Sequence, residues 1–210
     1  MENEDETMKR FEKAIFGLLI GAAFPISYFL LSVIIWFYFD RNTDRVIFYI
    51  IVGLVLGFIT DFKYLKGWIN NRYELPVWFI SGIYIFYNIT LYGIFMGFPV
   101  FNVLMGIVAG YYYGNRITMT DIPKDKYAKI VNRVSAFTGA IMTLICIATG
   151  FLGLAGNGVG GEVKGMLRLD FEVTRPMLWG ITLIGGLLLI VILILITRIT
   201  MIKTIKSNTQ

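Results

Sequence analysis

From Ala14 to Phe39 the chain runs 26 residues without a single charge. A helix that crosses a bilayer needs about 20 predominantly apolar residues. The pattern recurs: further apolar stretches cover residues 46–62, 76–96, 98–115, 135–154 and 177–197, with charged residues gathered between them. Charged residues make up 16% of the chain, against about 25% in an ordinary soluble domain. The sequence therefore predicts an all-α integral membrane protein, a bundle of six transmembrane helices over residues 14–197 with tails at 1–13 and 198–210. The first run exceeds the core of a cleaved signal peptide, about 7–15 residues, and reads as a retained span.

The connecting segments set the orientation. With six spans, fourteen Lys and Arg residues fall on the side of the termini and five on the other. The excess of basic loops marks the cytoplasmic face, so both termini are expected there. The net charge of +5 is thus a topology signal, and no nucleic-acid partner is expected. Membrane lipids are the expected surroundings. The Ile-rich, Ala-poor apolar residues and the lack of a targeting segment point to a prokaryotic plasma membrane. Residues 61–74 mix Lys63, Tyr64, Lys66, Trp68, Arg72 and Tyr73. Basic and aromatic residues together belong at the headgroup level, as in a short helix lying on the membrane. In the loop over 155–175, Leu167, Leu169, Phe171 and Val173 alternate with Arg168, Asp170, Glu172 and Thr174. That is the period of a strand, so a short extracytoplasmic β-strand or hairpin is expected after the glycine-rich GNGVGG.

The absences restrict the chemistry. There is no histidine, which removes His-based nucleophilic catalysis and His-ligated zinc or haem. The one cysteine, Cys146, lies in an apolar run and reads as a small buried hydrophobe. No enzyme activity, metal or cofactor is expected. Asp61, at the inner end of the second span, is the borderline ionisable residue, read as interfacial and either paired with Lys63 or solvated.

Polar and small residues supply the candidate sites. Ser81, Tyr84, Asn88 and Tyr92 recur at helical spacing in the third span, and Asn102 lies near the outer end of the fourth. Asn88 lies about ten residues from the turn at Gly97 and Asn102 about four, which puts them at different depths with no direct bond expected. Each either bonds to another helix or, with Tyr84 and Tyr92, lines a small pocket opening outward. Asn88-Ile89-Thr90 matches a glycosylation sequon but lies mid-span. Gly106, Gly110 and Gly114 form one stripe on the fourth span, a packing face for span one, three or five, or for a second subunit. Gly17 and Gly21 form a similar pair on the first span. Pro25 kinks that span, and the carbonyl it frees is either tolerated or lines a site.

Two functions fit. One is binding or transport of a small solute through a polar pocket between helices three and four. In size, span number and inward termini the chain is similar to the substrate-binding subunits of energy-coupling-factor vitamin transporters, a likeness of architecture alone. The other is a non-catalytic subunit, anchor or assembly factor whose glycine-striped helix contacts a membrane-protein partner or a second copy.

Overall fold

The structure is a computed structural model that describes residues 2–95, 99–120, 122–155, 159–168 and 170–209. These form seven α-helices: α1 (Glu2–Ile35), α2 (Val46–Asn70), α3 (Val77–Ile94), α4 (Leu104–Met119), α5 (Tyr127–Ala155), α6 (Val159–Leu167) and α7 (Arg175–Thr209). Short 3-10 turns precede α2, α4 and α5, and a π-helical turn, Trp36–Asp40, continues α1. Among the described residues, five helices are long and apolar enough to cross a membrane. The expected fourth span corresponds to the Pro99–Val103 turn and the 16 residues of α4, and α4 alone is shorter than a span requires.

The chain divides into two compact units, Met1–Ile83 and Tyr84–Gln210. In the first, α1 and α2 run antiparallel and interlock through small residues. A methyl group placed on Gly17 would lie 3.2 Å from Ile69 Cδ1, and one on Gly21 3.2 Å from Leu65 Cδ2. Higher up, Gly57 faces Pro25, and Gly53 faces Ser32 and the Tyr28 carbonyl. Backbones approach this closely only where side chains are missing. Trp68 of α2 stacks on Phe24 of α1 with ring centroids 4.9 Å apart, and Phe79 at the start of α3 lies 5.2 Å from Trp68. The link between α1 and α2 is held locally. Arg41 is left-handed with φ 54°, its N–H bonds to Trp36 O at 2.9 Å, and Trp36 Nε1 donates to Asn42 O at 2.8 Å.

In the second unit α7 runs parallel to α4 and antiparallel to α5. The glycine stripe decides the first contact. A methyl on Gly106 would lie 2.8 Å from Leu193 Cδ1, on Gly110 2.6 Å from Thr197 O, and on Gly114 2.7 Å from Thr204 Cβ. The helix received by the stripe is thus the last one, and not span one, three or five. Gly139 faces Ile194 and Gly150 faces Thr182, which brings α5 onto the same helix. Ile117, Val131, Val134 and Met201 fill the space where α4, α5 and α7 meet.

Three further expectations change. The surface helix over 61–74 is the continuation of α2 through Asn70, because no glycine or proline interrupts the helical pattern between Thr60 and Leu65. No strand forms among the described residues; Val159–Leu167 is a helix and residues 170–174 are irregular. An alternating stretch makes a strand only with a partner to complete its ladder, and none is present among the described residues. Leu169 of that alternation, residues 156–158 of GNGVGG and the turn at Gly97 lie outside the described residues. At the C-terminal end, α7 carries Arg198, Lys203 and Lys206 on one continuous helix, so the expected tail is helical.

The α4–α7 contact makes a direct prediction. Gly110→Ala should lower the unfolding free energy in detergent by about 1–3 kcal/mol, because its methyl meets backbone that cannot yield. Gly185→Ala, which meets nothing within 4 Å, should be neutral or stabilising by up to ~1 kcal/mol. Equal effects in a denaturation series would contradict the contact.

Candidate functional site

Tyr84 and Asn88 of α3 and Asn102 of the turn before α4 converge in the second unit. Asn88 is 1% exposed and Asn102 0% exposed. Asn102 Nδ2 donates to Asn88 O at 2.7 Å and to Asn88 Oδ1 at 3.1 Å, while Asn88 Nδ2 donates to Tyr84 O at 2.8 Å. The two asparagines therefore bond directly, contrary to the expectation from depth. The reason is local geometry. Helix α3 ends at Ile94, six residues or about 9 Å beyond Asn88. Asn102 lies three residues into the Pro99–Val103 3-10 turn, whose rise of about 2 Å per residue carries it about 6 Å deep. The amide side chains span the remaining difference.

This chain of bonds is closed to solvent. The outward-opening pocket expected from Tyr84, Asn88, Tyr92 and Asn102 is a buried cluster of three of them; Tyr92 is half-buried and joins none of these bonds. Tyr84 packs its ring against Phe137 of α5 at 5.7 Å, and an apolar shell of Met105, Ala109, Leu91 and Ile141 surrounds it. Two polar atoms stay unsatisfied within the cluster, the Tyr84 hydroxyl and Asn102 Oδ1. An orphaned buried polar group costs about 1–3 kcal/mol, and lipid offers no water to relieve it.

A second polar string, unexpected from the sequence, ties the other helices together. The Thr138 and Thr197 hydroxyls lie 3.3 Å apart, joining α5 to α7. Asn208 Nδ2 donates to Asn115 Oδ1 at 2.7 Å and to Thr118 Oγ1 at 2.9 Å, joining the end of α7 to α4. Their positions share no spacing that sets them apart from ordinary polar residues at span ends. The signal available was indirect: Asn115 follows the last glycine of the stripe, and Thr197 and Thr204 sit seven apart on the helix that the stripe meets. Arg116 Nη1 donates to the hydroxyl of buried Tyr112 at 3.4 Å.

The interface glycines have their places as well. Gly106, Gly110 and Gly114 are covered by α7, and Gly17 and Gly21 face α2. Asp61 is 8% exposed against α1, and Lys63, its expected partner, instead lies 5.2 Å from the Tyr64 ring centre. No protein-family model matches the chain, and no curated protein or solved structure is significantly similar to it.

A double-mutant cycle tests the asparagine pair. Asn88→Ala and Asn102→Ala should show a coupling energy of about 0.6–2 kcal/mol, the range of interhelical hydrogen bonds in membranes. Strict additivity of the two substitutions in a denaturation series would mean that the bonds do not form.

Proposed function

We propose that this polytopic membrane protein binds, and carries between sides of the membrane, a small uncharged solute at Tyr84, Asn88 and Asn102. The observation that supports this reading is the pair of orphaned polar atoms, the Tyr84 hydroxyl and Asn102 Oδ1, on residues of one buried hydrogen-bonded chain. A ligand bearing a donor for Asn102 Oδ1 and a donor or acceptor for the Tyr84 hydroxyl would relieve both costs at once. The Tyr84 and Phe137 rings offer it an apolar flank. The cluster contains no charged group, which favours an uncharged ligand, and no nucleophile–base pair, which favours binding over catalysis. Because Asn88 and Asn102 are closed off, entry calls for displacement of the short Pro99–Val103 turn. If Pro99–Met119 completes a sixth crossing, the charge distribution supports cytoplasmic termini, and the Ile-rich, Ala-poor apolar residues support a plasma membrane. The alternative, a subunit or anchor held through the Gly106/Gly110/Gly114 face, would need another surface, since α7 occupies that one.

Thermal unfolding of the purified protein tests the reading. Polyols, amides and phenols serve as uncharged probes. The midpoint of the wild type should rise with at least one probe class, Asn102→Ala should lose that rise, and Tyr84→Phe should show a smaller one. Without probe, Tyr84→Phe should match or exceed the wild type, since it removes an unsatisfied hydroxyl. A midpoint that no probe class moves would defeat the proposal.

A further inference from the structure

The first unit holds a buried ionisable group that the polar cluster does not involve. Asp61 lies on α2, 8% exposed, and its Oδ1 makes no hydrogen bond. It faces α1 at Gly21, where an added methyl would lie 3.8 Å from Asp61 Oδ2. Four residues beyond Gly21 stands Pro25, inside α1. Proline has no N–H, so the Gly21 carbonyl, its i−4 partner, loses its helix hydrogen bond. The face on which this gap opens follows from the packing. A methyl on Gly57 would lie 2.8 Å from Pro25 N, so the vacant rung between Pro25 N and Gly21 O is on the side that α2 covers. Asp61 is one turn along from Gly57 on the same side of α2. The carboxyl group and the vacant carbonyl thus share one stretch of the interface. Ser27, of the kind that often re-satisfies a proline-freed carbonyl, donates to Ala23 O at 2.6 Å instead.

Two acceptor groups, the Asp61 carboxylate and the carbonyl left without its proline partner, therefore belong to the same stretch of the α1–α2 interface. Among the described side chains of the packed helices, no charged or titratable group is placed to supply a donor. Lys13, Lys63 and Lys66 are exposed. Lys63 lies over Tyr64, and Tyr64 stacks on Trp68 at 5.5 Å. Tyr28 is at the level of Gly53, two turns from Asp61 along α2, and residues 77–83 of α3 contain no titratable side chain. A lone carboxylate in such an interface is strongly disfavoured unless a positive charge joins it.

We propose that the α1–α2 interface is a monovalent-cation site in which a proton or a sodium ion is held between the Asp61 carboxylate and the Gly21 carbonyl oxygen. A proton turns Asp61 into a donor to that carbonyl, and a sodium ion takes both oxygens as hard ligands. Backbone carbonyls freed at broken or kinked membrane helices serve this purpose for both cations.

The full-length protein in lipid nanodiscs separates the two cations. Its thermal midpoint is measured against NaCl, with choline chloride holding ionic strength constant at fixed pH, and against pH in sodium-free buffer. A ligand that binds the folded state alone raises the midpoint by mass action. A sodium site gives a midpoint that rises with NaCl; a proton site gives one that falls as pH rises without sodium. Asp61→Asn should lose whichever dependence the wild type shows, since an amide carries no charge to compensate. Should that variant fail to fold, Pro25→Ala reads the same site, because restoring the Gly21 helix bond should shift the cation concentration at half effect. A wild-type midpoint indifferent to both cations, or a dependence unchanged in the variant that folds, overturns the proposal.

Discussion

The close approach of α4 to α7 is the contact on which the second unit depends. Gly106, Gly110 and Gly114 leave no side chain between the two backbones, and Leu193, Thr197, Met201 and Thr204 of α7 fill the groove. Lipid gives helices little hydrophobic reason to associate, so van der Waals contact at short range has to hold them. A groove with a four-residue period also sets register. Once Thr197 is seated against Gly106 and Gly110, its hydroxyl meets Thr138 of α5, and three turns on Asn208 meets Asn115 and Thr118. The same register carries the turn that bears Asn102 to the top of α4, one turn above Gly106.

The two units treat buried polarity differently. In the second, amide meets amide and hydroxyl meets hydroxyl, although Arg116 also donates to the buried Tyr112 hydroxyl. In the first, α1 and α2 interlock through Gly21, Gly53, Gly57 and Pro25, and the proline needed for that shape removes a donor from the helix. The acidic side chain packed against α1 at Gly21, Asp61, adds an acceptor on the same stretch of the interface. Shape complementarity and hydrogen-bond balance conflict at this point of the hairpin between α1 and α2. A natural sequence that keeps such a conflict usually does so at a functional position.

Much of this was legible in the residues. The five long apolar helices follow from run length and charge segregation, and the polar stripe that includes Tyr84 and Asn88 follows from helical spacing. Other features were not. The Asn88–Asn102 bond depends on α3 ending at Ile94 and on a 3-10 rather than an α-helical start to the next element, a difference of a few ångströms that residue counting does not resolve. The alternation from Leu167 to Thr174 has strand period, yet a period describes only one side of a ladder. Lys63 was the natural partner for Asp61 by proximity in sequence, but two residues apart on a helix point to different faces.

Composition and periodicity are local properties, and by themselves they determined that this chain is helical, that it belongs in a membrane, and which of its helix faces are small or polar. Which face meets which was decided only in three dimensions: the glycine stripe against α7, Asn102 against Asn88, and Asp61 against α1 at Gly21. A face records what it can accept, whereas its partner is set by the register and direction of helices that lie far apart in the chain.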